Sequence, residues 1–146
     1  MRFSIVFLVS ISCLSVLAQM SNQQMKPGQN GHYYDNKGGN KGRTQTVGNT
    51  TYYYAPNGVL EKRAVTQGNT TIFYDASGRI IGRSNTSGNT TRFYNSNGSN
   101  AGRSVQNGDT TRYYDGSGRN AGHSTMSGNT TRFYNSNGTS AGRMTK

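Results

Sequence analysis

Arginine stands at positions 43, 63, 83, 103 and 143, and His123 fills the one slot in that series that arginine leaves. An interval of twenty residues places Arg43, Arg63, Arg83, Arg103 and Arg143 at equivalent points of a repeated unit, as a ladder if the units stack or a ring if they close. Arg92, Arg112 and Arg132 form a second, shorter set. The chain carries 16 Lys and Arg against 5 Asp and Glu, a formal charge of +11. Repeated charge of one sign attracts an anionic polymer such as lipopolysaccharide, an acidic glycan or nucleic acid. The same residues also have a purely structural use. They keep a sheet surface soluble and its edges unpaired, with their stems lying over aromatic rings.

The other reactive residue types lead away from catalysis. Asp35, Asp75 and Asp115 share one column with Asn95 and Asn135. A carboxylate pair can do acid–base work, but the exchange of Asp for Asn between units points to Asx-turns at hairpin corners. His32 and His123 each fill a column that holds something else in other units. No His, Cys or carboxylate cluster has metal-ligand spacing, and no glycine run precedes a helix to cradle a phosphate. The expectation is a non-enzymatic protein with no cofactor and no metal. Tyr and Phe beside Asn, Thr and Arg suit sugar recognition and also suit an aromatic core. The Asn-Thr-Thr triplets at Asn49, Asn69, Asn89 and Asn129 match the N-glycosylation pattern, and a turn followed by a strand explains them equally well.

The elements that position these residues begin after a leader. Residues 1–18, "MRFSIVFLVSISCLSVLA", pair a basic Arg2 with an apolar run and small residues at Val16 and Ala18, the pattern of a secretory signal peptide. Residues 19–27 read as a flexible linker and residues 28–146 as one repeat domain. The chain is then expected to be secreted, periplasmic or in the cell envelope, and its only cysteine, Cys13, goes with the leader. Nothing after residue 18 is apolar for long enough to span a membrane as a helix.

The twelve residues "SGNTTRFYNSNG" occur at 87–98 and again at 127–138. Glycine recurs at every tenth position from 28 to 138, and Tyr at 34, 54, 74, 94, 114 and 134, each Tyr preceded by another aromatic. Six units of twenty residues start at Gly28, and the first, "GQNGHYYDNKGGNKGRTQTV", lacks the Thr pair of the others and reads as degenerate. In the unit 88–107, Thr90 to Tyr94 is β-branched and aromatic and reads as a strand. Asn97-Gly98 reads as a type I′ hairpin turn, Ala101 to Val105 as a short return strand, and Asn107-Gly108 as the turn into the next unit. The fold class is all-β, six hairpin repeats in a closed rosette or, alternatively, an open solenoid. Closure is favoured because it removes sheet edges. Five well-formed units suit a five-fold ring that the first unit completes or caps. Large aliphatic residues are few, so the two aromatic columns must supply the core. The Tyr column at 34–134 is expected to face inward because it never varies between units. Position 92 shares its strand parity and varies freely, which argues the other way unless a bulge intervenes.

On its "GNTTxxYxxxG" pattern, residues 28–146 resemble the small exported β-flower proteins of bacteria, whose hairpin repeats form a five-fold rosette. That resemblance implies a shape and no activity. "YDASGR" at 74–79 and "YDGSGR" at 114–119 look like the Tyr-Asp repeats of large toxin shells and adhesins. "RFYNSNGSNAG" is similar to choline-binding repeats, but the chain has no Trp for a cation cage and its arginines would repel a quaternary ammonium group. The expected function is a structural or binding module of the cell envelope or extracellular space. One alternative is a receptor for an anionic polysaccharide or lipopolysaccharide through the arginine column. Another is an adhesin or toxin accessory part that binds a protein. Export disfavours nucleic acid as the polyanion.

Overall fold

The alternation of turn residues with short β-branched and aromatic runs produces strands and nothing else. A computed structural model describes residues 31–146, so the expected leader and linker lie outside the described residues. Twelve strands follow one another: β1 (Gly31–Tyr34), β2 (Asn40–Val47), β3 (Thr50–Tyr54), β4 (Leu60–Gln67), β5 (Thr70–Asp75), β6 (Ile80–Ser87), β7 (Thr90–Asn95), β8 (Asn100–Asn107), β9 (Thr110–Asp115), β10 (Asn120–Ser127), β11 (Thr130–Asn135) and β12 (Ser140–Thr145). Each pairs antiparallel with its chain neighbours, and β1 pairs with β12, which closes the barrel. The seam is short: His32 meets Thr145, Tyr33 meets Met144 and Tyr34 meets Arg143. The ring is therefore closed and six-fold, and the first unit completes it as a full member despite its divergent sequence. The return strands are longer than the sequence suggested, as in β8.

Two turn types alternate. At the long turns, Gly98 donates to the Asn95 carbonyl and Asn95 donates to the Ser99 carbonyl. Only Gly98 there has positive φ, at 83°, and among the described residues none other than glycine has positive φ. Type I′ needs positive φ at both central residues, so the Asn97-Gly98 reading is corrected. The turn is a three-residue loop, a type I turn followed by a left-handed glycine in a G1 bulge. At the tight turns, Asn107 pairs with Thr110. Gly108 has φ 55° while Asp109 does not turn positive, which is type II′. The central pair is thus Gly108-Asp109 rather than Asn107-Gly108.

A bulge in each return strand shapes the wall. Phe93 faces Gly102, but Tyr94 faces Asn100, so Ala101 is the extra residue. Gly102 has φ 138°, and a Cβ on it would run into the Tyr114 carbonyl oxygen. The bulge lies in β8 and leaves the alternation along β7 intact. Arg92 and Tyr94 therefore point outward together, and Thr91 and Phe93 point inward.

This overturns the expectation that the invariant Tyr column is the core. The buried aromatics are Tyr53, Phe73, Phe93, Tyr113 and Phe133, none more than 6% exposed. Tyr33 packs against the same layer. Each contributes about 2 kcal/mol by burial. Below the aromatics the interior is small and polar. Thr46 and Thr51 hydroxyls meet at 3.0 Å, Thr66 and Thr71 at 2.9 Å, and Thr86 and Thr91 at 2.7 Å. Tyr113 and Ser124 hydroxyls pair at 2.8 Å. These bonds pair the hydroxyls that they join inside the barrel. Among the described residues no helix is long and apolar enough to cross a membrane.

Candidate functional site: an outer belt of arginine and tyrosine

The outward face of five of the six hairpins carries an arginine directly across from the next hairpin's tyrosine, and the sixth carries His123. The register pairs Arg103 with Tyr114 and Arg83 with Tyr94. Each guanidinium lies over the ring it faces. The distances from guanidinium carbon to ring centroid are 4.2 Å for Arg43 on Tyr54, 4.7 Å for Arg63 on Tyr74 and 5.2 Å for Arg83 on Tyr94. They are 4.5 Å for Arg103 on Tyr114 and 4.9 Å for Arg143 on Tyr34. In the remaining slot His123 stacks on Tyr134, with centroids 4.7 Å apart and planes 12° from parallel. All five arginines singled out from the sequence thus lie on one belt. The Tyr column varies no more than its cationic partner allows, and its constancy reflects this pairing rather than burial. A ring under each guanidinium restrains its plane and leaves the N–H edges for solvent or ligand.

The second arginine set joins this belt and makes it unequal. Arg92 faces Arg103, Arg112 faces His123 and Arg132 faces Arg143. On the other half the same column holds His32 across from Arg43, Tyr52 across from Arg63 and Ile72 across from Arg83. Strands β7 to β12 therefore each present one cation or His123 in an unbroken run. Like charges directly across strands are destabilising. Tyrosine rings lie under Arg103 and Arg143, but no ion pair among the described residues offsets the repulsion. The ion pairs found join Lys41 to Asp35 at 3.6 Å and Arg79 to Asp75 at 2.8 Å, both beside long turns. Among the described residues neither belt set forms an ion pair.

The Asp column does serve the turns. One Asp75 carboxylate oxygen accepts from the Ser77 hydroxyl at 2.6 Å and from the Ser77 and Arg79 backbone N–H groups at 3.0 Å each. The Ser77 hydroxyl bond, with the Arg79 N–H next, holds this carboxyl well below the usual carboxylate range. Asp115 is lowered in the same way, first by Ser117, and Asp35 first by the Gly39 N–H. These carboxylates are ionised locks for exposed loops, one to a hairpin. His32 is exposed in β1, away from His123. No group of three or more His, Cys, Asp or Glu residues that would hold a metal occurs among the described residues.

Sequence reasoning passed over Lys62. Five of the six units place glycine at its column: 42, 82, 102, 122 and 142. The signal was present but hidden among the turn glycines. Lys62 lines a cavity of about 180 Å³ near the long turns, together with Tyr33, Tyr53, Phe133 and Ala141, and with Arg43 and Arg143 of the belt. A second cavity, of about 260 Å³, opens near the tight turns between Thr66, Thr71, Thr86, Thr91, Asn69 and Asn89. No family model matches the chain, and no curated protein matches it.

Proposed function

We propose that the barrel is a non-enzymatic binding module of the cell envelope or extracellular space whose ligand is an anionic polymer, an acidic polysaccharide or lipopolysaccharide, held on the outer belt. One observation carries this reading: Arg92, Arg103, Arg112, Arg132 and Arg143 run around half of the barrel, two pairs of them directly opposed, and among the described residues none of them forms an ion pair. A charge pattern that weakens the fold is explained if a ligand neutralises it. Guanidinium forks suit carboxylate and phosphate oxygens, and each is already oriented by a ring or a neighbouring strand. With strands ~4.8 Å apart, the run over six strands spans roughly 24 Å of sheet, enough to meet several charged groups of one chain.

The test is binding of the protein to immobilised acidic polysaccharides and lipopolysaccharide at about 50 and 200 mM salt, a range in which charge-driven binding weakens steeply. An Arg92→Ser, Arg112→Ser, Arg132→Ser variant removes the second set while leaving every arginine–tyrosine stack. The expected result is roughly tenfold or greater weakening of the wild type across that salt range, and loss of binding in the folded variant. Equal binding by both proteins, or none by the wild type at low salt, would overturn the reading.

A further inference from the structure

We propose that the cavity at Lys62 is a subsite for a single carboxylate-bearing sugar unit, with the Lys62 amine facing the carboxylate and the aromatic wall facing the ring. This rests on the polyanion reading above and names one place where the polymer is read residue by residue.

The argument begins with the glycine column. At positions 42, 102, 122 and 142 an added Cβ would collide with a neighbouring backbone carbonyl, so the bulge demands glycine there. Lys62 is the one residue of that column with a side chain. Its φ is not positive, a conformation it shares with Gly82, so its bulge has a different backbone from the four positive-φ ones and no left-handed strain bars a side chain. The register shift between Tyr53 and Tyr54 remains. The lysine amine lies 5.3 Å from the centroid of the Tyr53 ring.

A cation turned toward the aromatic layer is costly without an anion beside it. None of the acidic groups around Lys62 forms an ion pair with it. Glu61, its exposed chain neighbour in β4, lines the same cavity and favours the charged amine from a distance. Asp75 is its ladder partner on β5, but that carboxylate is held by Ser77 and Arg79. Asp35 is engaged by Lys41. Among the described residues Lys62 has no ion pair. Burial lowers its pKa from 10.5 to about 8, against the opposing pull of the Glu61 carboxylate.

The cavity supplies the rest of the recognition. A volume of about 180 Å³ matches one six-membered ring with its substituents rather than a longer segment. Tyr33, Tyr53 and Phe133 offer apolar faces to the C–H side of such a ring. Arg43 and Arg143 belong to both the cavity lining and the belt, so a chain lying along the belt passes the cavity mouth. The first strand enters the barrel at the tight-turn end, where Gly31 faces Thr44, and the cavity lies toward the other end, with the long-turn residue Asp35 in its wall. A sugar carrying a carboxylate satisfies both the amine and the aromatic wall, whereas a neutral sugar satisfies only the wall.

Galacturonate and galactose differ in that carboxylate and serve as probes. Their affinities for the full chain, Lys62→Met and Lys62→Gly are measured by titration. Protection of Lys62 from acetylation at about pH 8 is followed by peptide mass. Galacturonate is expected to bind at least tenfold more tightly than galactose, to lose that advantage in both lysine variants, and to slow Lys62 acetylation. Equal binding of the two sugars, unchanged galacturonate binding in Lys62→Met, or no galacturonate binding would overturn the proposal. The Arg92→Ser, Arg112→Ser, Arg132→Ser variant separates the two claims. It is expected to lose the polymer and keep galacturonate. If no protein binds polymer while galacturonate binds through Lys62, the belt reading fails and the cavity stands as a site for free acidic sugars.

Discussion

The hairpins β3–β4 and β7–β8 are built to one plan, and three of the positions at which they differ set what each presents. Both have the long and tight turns, the inward aromatic (Tyr53 or Phe93) and the bulge after it. Where β7–β8 has Arg92, Gly102 and Ser104, β3–β4 has Tyr52, Lys62 and Ala64. The shared positions are those the backbone or core requires. The differing ones decide what each sector presents: bare positive charge on β7–β8, and an inward lysine beside a cavity on β3–β4. Six-fold geometry thus carries a chemistry that is not six-fold.

The comparison can be broken most severely at the shared positions. Phe93→Ala is expected to cost about 4 kcal/mol, because it removes one member of the buried aromatic layer. Tyr94→Ala, one residue along, should cost only about 1 kcal/mol through the lost stack with Arg83. Urea denaturation of the two variants checks the order, and a reversal would restore the Tyr column to the core.

Transplanting the lysine sharpens the contrast. Gly102→Lys is expected to destabilise by about 3 kcal/mol, because it combines strained positive φ with an inward charge. The carbonyl of Tyr114 blocks its side chain as well. Thermal unfolding of this variant against wild type measures whether β7–β8 lacks the bulge backbone seen at Lys62.

The smaller effect is a gain. Lys62→Met keeps the volume and removes the charge, so it should stabilise the protein by about 2 kcal/mol at neutral pH. The sign follows from the lowered pKa: between about 8 and 10.5 the folded lysine holds fewer protons than the unfolded one, so wild-type stability rises with pH across that window. The wild-type penalty is complete below about 8 and is relieved toward 10.5, and the advantage of Lys62→Met should shrink over the same interval. Denaturation at pH 7, 9 and 10.5 follows it.

The repeat, the strands, the closed ring and the arginine column were legible because each depends on local patterns: period, β-branched pairs, and turn glycines. Which aromatic faces inward was misjudged because constancy was read as burial. At Tyr94 constancy comes from the arginine across the strand, and the variable position 92 gave the correct parity. Asn97-Gly98 misled because the type I′ signal is local, while a three-residue loop depends on where the ladder resumes, at Asn95 and Ser99. Lys62 was missed for a simpler reason. Glycine already marked every tenth residue, so a further glycine column, and the one exception in it, did not stand out against the turns.

The three-residue seam between β1 and β12 has a consequence for how the chain comes to be folded. Every other ladder joins neighbours in sequence, so hairpins can assemble one after another as the chain lengthens. The seam alone joins residues 32–34 to residues 143–145, and it can form only when the last hairpin exists. Long-range closure of this kind is entropically the slowest contact to make. Until it forms, β1 and β12 are open edges able to pair with another chain. The same seam has the fewest paired residues in the ring, so hydrogen exchange should find it the first place to open. A copy of the protein caught open at that point would meet a second copy with matching edges, and linear or larger closed assemblies are the products that its kinetics must avoid.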